Sequence, residues 1–135
     1  MENVKLDVEN RKLNGEPKID LLIDLLTISE ANATGEHWTK KHKRHKAQKL
    51  RVLIELMNHQ VKVQLPCIIK LSRLSPRLLD TGDNLPMSLK YIRDSISEYI
   101  FPNKKAGRAD DDPRIEWQYA QEKSKKKAVR IQIYF

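Results

Sequence analysis

Two groups of carboxylates stand out in a chain that is otherwise basic. Asp80-Thr81-Gly82-Asp83-Asn84 comes first, followed by Lys90, and Asp110-Asp111-Asp112-Pro113 comes second. Crowded carboxylates repel one another and raise each other's pKa unless a cation lies between them. The 135-residue chain has 26 Lys and Arg against 18 Asp and Glu, a formal charge of +8. Its pI is near 9.6, so overall charge gives no reason to concentrate acid. A basic protein with an acidic nest suggests a polyanionic substrate held over a metal site, which is the outline of a nuclease.

The chemistry fits a hard cation. Mg²⁺ prefers carboxylate and water oxygens and commonly takes only one or two protein carboxylates beside phosphate oxygens. Asp80 and Asp83 flank a Thr-Gly turn, so both side chains can address one locus, and Asn84 can add an amide oxygen. A metal there would polarise a scissile phosphate and lower the pKa of bound water. Lys90 lies seven residues after Asp83, two helical turns on, so the two can share a face. Its ammonium would contact phosphate or offset charge in the transition state. The plainer explanation is that Asp83 caps a helix and Asp80 forms a turn, and for an isolated pair that explanation is the stronger. Three adjacent aspartates in a loop are harder to explain that way, and both clusters together favour a site.

The surrounding pattern supplies elements to hold these residues. Ile19 to Ile28 reads as a buried strand, and Asn32-Ala33-Thr34-Gly35 as loop. From Trp38 to Asn58 the pattern is helical, with Ala47, Leu50, Leu53, Ile54 and Met57 as the apolar stripe. Val61 to Leu65 and Cys67 to Leu71 form a strand in which Pro66 marks a bulge or an edge. Leu85, Leu89, Ile92, Ile96 and Ile100 stripe a second helix, capped by Asp83 or Asn84 and closed by Pro102. Ile115 to Tyr119 and Val129 to Tyr134 alternate and read as an antiparallel hairpin. The order is β-α-β-α-β-β: one α/β or α+β domain, a mixed sheet of about four strands with two main helices. Residues 1–18 form a polar leader and 19–135 the domain.

Candidate phosphate-binding cations cluster on these elements. Lys40, Lys41, Lys43, Arg44, Lys46 and Lys49 occupy the first half of the first helix, Arg93 a polar face of the second, and Lys104, Lys105 and Arg108 the loop after it. His37, His42 and His45 are poorly spaced for zinc on one helical face. Trp38 is expected to pack on the sheet, and Trp117 and Tyr119 to divide between core and partner surface. The single Cys67 excludes an intramolecular disulfide and reads as a small core residue. The leader has no apolar core of a signal peptide and no apolar run reaches membrane-spanning length, so a cytoplasmic, non-membrane protein is expected.

Three ordered segments carry a resemblance. They are Glu36-His37-Trp38 with Lys43-Arg44-His45-Lys46-Ala47-Gln48-Lys49; Leu79-Asp80 through Asp83-Asn84-Leu85 with Leu89-Lys90 and Ile92-Arg93-Asp94; and Asp110 through Pro113-Arg114 with Trp117-Gln118-Tyr119-Ala120-Gln121. Over roughly residues 19–135 the chain resembles the RusA-like Holliday-junction resolvases, small phage- and prophage-borne endodeoxyribonucleases of recombination and repair. The resemblance implies a homodimer that binds four-way DNA junctions and nicks paired strands with Mg²⁺ or Mn²⁺. It puts the catalytic and metal-binding aspartates on Asp80, Asp83 and Asp110, with Asp111 as a further metal ligand and the essential lysine on Lys90. The common Asp-x-Asp-Asn spacing carries one extra residue here, between Asp80 and Asp83. The third aspartate falls on Asp110 by counting back from Pro113, with Asp111 and Asp112 left open. The rival expectation is a basic DNA-binding module whose metal site is degenerate.

Overall fold

Apolar alternation in four segments builds the sheet that carries everything else. The computed structural model describes residues 15–28, 37–104 and 109–135. The first fourteen residues of the leader, the Asn32–Gly35 loop, and the candidate cations Lys105 and Arg108 lie outside them. The elements are β1 (Ile19–Ile23), α1 (Trp38–Asn58), β2 (Cys67–Ser75), α2 (Asn84–Ser88), α3 (Lys90–Ile100), a 3₁₀ turn (Ala109–Asp111), β3 (Ile115–Lys123) and β4 (Ala128–Tyr134). They form one mixed α+β domain whose sheet has the order β1-β4-β2-β3.

The register puts one set of side chains on a single face. Ile69 pairs with Ile133, Leu71 with Ile131, and Cys67 with Ile115, while Leu21 and Ile23 align with Ile131 and Val129. Because strand side chains alternate, all of these point to the same side, where Val52 and Leu56 of α1 and Ile92 and Ile96 of α3 complete the core. The opposite face carries Lys70, Gln132 and Gln118 in register and the Asp20–Arg130 ion pair, 2.6 Å between Oδ2 and Nη2.

Six expectations need correction. β3 and β4 are not a hairpin: β2 lies between them, parallel to β3 and antiparallel to β4. The Ser124–Lys127 link crosses the end of β2, where the Ser124 N–H donates to the Ser75 carbonyl at 3.0 Å. Two strand spacings are about 10 Å, which four residues span. β2 is buried almost throughout, and burial on both edges and both faces requires a central place. Strand structure begins at Cys67, after Pro66, and Val61–Leu65 is not strand. β1 likewise ends at Ile23 rather than Ile28.

The expected stripe of α1 is also rotated. Gln48, Val52 and Leu56 are buried, whereas Leu50, Ile54 and Met57 are 53%, 41% and 59% exposed. Residues 50–57 are apolar nearly all round, so periodicity alone could not choose the docked face. Trp38 is 71% exposed and packs on His37 rather than on the sheet. Finally, the second helix is two: Leu89 (φ −106°, ψ 2°) breaks the chain between α2 and α3.

Candidate active site

Asp83 lies at the entry to α2, Lys90 opens α3, and Asp110 lies in the 3₁₀ turn. α1 packs along α3, and the 3₁₀ turn packs against α3. The rings of His45 and Tyr91 stack at 3.6 Å, Lys49 pairs with Glu98 at 2.7 Å, and the Ser95 hydroxyl donates to the Lys49 carbonyl at 2.7 Å. These contacts set the two helices parallel and lay the basic half of α1 beside the start of α3. A groove of about 550 Å³ runs between them, lined by His42, Lys46, Lys49, Tyr91, Asp94 and Glu98 among others.

Asp80 and Asp83 play different parts. The Asp80 carboxylate accepts from the backbone N–H of Asp83 at 3.1 Å and from that of Asn84 at 3.5 Å, and from the Asn84 side-chain amide. Those bonds, the Asp83 N–H first, hold its pKa below the usual carboxylate value. Asp80 therefore ties down the entry to α2, a role expected for Asp83 or Asn84; Asp83 occupies the cap position without a side-chain cap bond. The Asp83 carboxylate is exposed. Lys90 is also exposed, its Nζ 5.6 Å from the Tyr91 ring. It opens α3 rather than continuing the helix after Asp83, so the two do not share one helical face.

The three adjacent aspartates separate cleanly. Asp112 is buried and ion-paired, with Lys104 Nζ at 2.6 Å and Arg114 Nη2 at 2.9 Å; these partners, Arg114 first, hold its carboxyl well below the usual range. Asp111 is exposed. Asp110 faces α3: its carbonyl accepts from Arg93 Nη2 at 3.0 Å and from Trp117 Nε1 at 3.2 Å, and its Oδ2 is 3.3 Å from Arg93 Nε. Half-buried Asp94 stands near it; burial and the charge of Asp110 push its pKa up.

Among the candidate cations, Lys40, Lys43 and Lys46 are exposed and Lys41 and Arg44 partly so. Lys49, Lys104 and Arg93 are engaged within the protein. Trp117 and Tyr119 do not divide between faces: two residues apart on one strand, they share the side that meets Arg93. The role of Arg93 has no signature in sequence spacing, because its partners Asp110 and Tyr119 lie 17 and 26 residues away, and the Asp94–Asp110 interaction likewise joins residues far apart in the chain.

The donors suit a hard divalent cation in kind, being carboxylate and amide oxygens. Among the described residues no three Asp, Glu, His or Cys side chains converge on one point. What fits is a site of one or two carboxylates completed by water and phosphate oxygens. Comparisons with protein families, curated proteins and solved structures give no match.

Proposed function

We propose that this chain is a metal-dependent, structure-selective DNA endonuclease that resolves four-way junctions, as its resemblance to the RusA-like resolvases implies. The observation that carries the reading is the packing of the lysine-rich half of α1 along α3, the helix that begins at Lys90 and receives Asp110. Asp83 and Asp110 would hold Mg²⁺ or Mn²⁺. When bound, such an ion polarises a phosphodiester and lowers the pKa of an attacking water. The Lys90 ammonium meets the phosphate, and Lys40, Lys43 and Lys46 bind the backbone on either side. Such contacts position DNA without reading its sequence, so preference for a junction comes from shape. A homodimer belongs to the proposal, since two nicks across a two-fold junction suit two-fold protein symmetry. The exposed Leu50, Ile54 and Met57 stripe supplies apolar surface for it.

One observation favours the alternative of a DNA-binding module without catalysis: the Asp80 carboxylate is engaged at the entry to α2, as a purely structural aspartate would be. Cleavage of a labelled four-way junction in Mg²⁺ separates the two. The endonuclease reading expects nicking that Asp83→Asn abolishes; the module expects binding indifferent to that change.

A further inference from the structure

Arg93 touches three residues beside the candidate site, Asp110, Trp117 and Tyr119, and meets Asp110 at both its carbonyl and its carboxylate. Its Nη2 donates to the Asp110 carbonyl at 3.0 Å, and its Nη1 donates to the Tyr119 hydroxyl at 2.7 Å. The guanidinium carbon lies 4.9 Å from the centre of the Trp117 ring, whose Nε1 donates to the same Asp110 carbonyl. Arg93 Nε is shielded from solvent and makes no hydrogen bond; the Asp110 Oδ2 lies 3.3 Å from it. A buried donor without a hydrogen bond is disfavoured, and the Asp110 carboxylate is the acceptor within reach of it.

We infer that Arg93 is a positioning residue, which with Trp117 fixes Asp110, and not its neighbours, as the carboxylate of this loop that serves the site. Neighbouring residues in a 3₁₀ turn project about 120° apart, so Asp110 and Asp111, both in the turn, do not both face α3. Asp112 is held by Lys104 and Arg114 and Asp111 is exposed, which leaves Asp110. The planar fork of arginine reaches a carbonyl, a hydroxyl and a carboxylate at once, while lysine is a single point charge. The assignment rests on the proposed metal-dependent reading, and the test distinguishes failure of one from failure of the other.

The test is Mn²⁺ binding without DNA, followed by loss of the free-ion electron paramagnetic resonance signal, with folding of every variant checked by circular dichroism. Outer partners of metal ligands typically contribute 10–100-fold in affinity. Arg93→Lys is expected to weaken Mn²⁺ binding by about that factor, Trp117→Phe by several-fold, and Asp110→Asn more than Asp111→Asn. Trp117→Phe keeps an aromatic ring while removing the Nε1 donor and part of the indole's bulk, so it decides the matter if Arg93→Lys does not fold. Saturable binding that is unchanged in Trp117→Phe and Arg93→Lys, or lost more in Asp111→Asn than in Asp110→Asn, overturns the assignment alone. Absence of saturable binding by the unaltered protein overturns the metal-dependent reading, and the assignment with it.

Discussion

Asp94 sits half-buried on α3 beside Asp110, with Lys90 and Lys49 as the opposing charges around it. Burial first, and the charge of Asp110 second, raise its pKa in the folded state. A carboxyl with a raised native pKa binds more protons folded than unfolded, so its contribution is full below the unfolded pKa of about 4 and is lost as pH rises through the native value. Asp94→Asn is therefore expected to stabilise the protein near neutral pH by about 0.5–1 kcal/mol, discounted for partial exposure. The gain should vanish below about pH 4, as measured by urea unfolding across pH in the presence of a chelator. A neutral-pH loss of stability instead would mean that Asp94 is held by its lysines more strongly than burial and Asp110 oppose it. Asp112 behaves in the opposite sense, its ion pairs with Arg114 and Lys104 favouring the charged form.

The elements show where sequence patterns carry weight. α1 spans the expected Trp38–Asn58, because Lys40 to Met57 is mostly good helix formers without Gly or Pro. Its start is capped by His37, whose Nδ1 accepts from the Thr39 N–H at 3.3 Å, and its end by a Schellman turn. There Val61 N–H donates to the Leu56 carbonyl and Gln60 N–H to that of Met57, both at 3.0 Å, with Gln60 at φ 49°. Glycine is the usual signal for this turn, so a glutamine there leaves the boundary readable only from where the pattern stops. Gln60→Gly is expected to raise stability by about 0.5–1 kcal/mol, relief of left-handed strain outweighing the added freedom of the unfolded chain. A lower melting temperature would show that the glutamine side chain contributes more than the strain removes. Other features were not legible for definite reasons. Two alternating strands joined by four residues look like a hairpin whether or not β2 inserts between them. The partition of Asp110, Asp111 and Asp112 depends on Arg93, Lys104 and Arg114, which only the folded chain brings to them.

At the scale of the whole molecule, a +8 chain with Lys40, Lys43 and Lys46 exposed on α1 carries the charge that the proposed DNA binding requires. No helix among the described residues is long and apolar enough to cross a membrane. Lysines that contact phosphates release counterions, and each lost contact lowers the slope of log affinity against log salt by about 0.9 on duplex DNA. Replacing Lys40, Lys43 and Lys46 with alanine should thus lower the slope for junction binding by about 2–3, as read from electrophoretic shifts over a range of salt. An unchanged slope would remove α1 from the DNA-facing surface.

The most direct measurement of the central claim uses a four-way junction labelled in each strand in turn, incubated with the purified protein in Mg²⁺ or in a chelator. Nicks in two opposing strands are expected with Mg²⁺, none with chelator, and a loss of more than about 100-fold in Asp83→Asn, beyond the usual contribution of a metal ligand's outer partner. Junction binding with no cleavage above that of Asp83→Asn in any strand would contradict the claim.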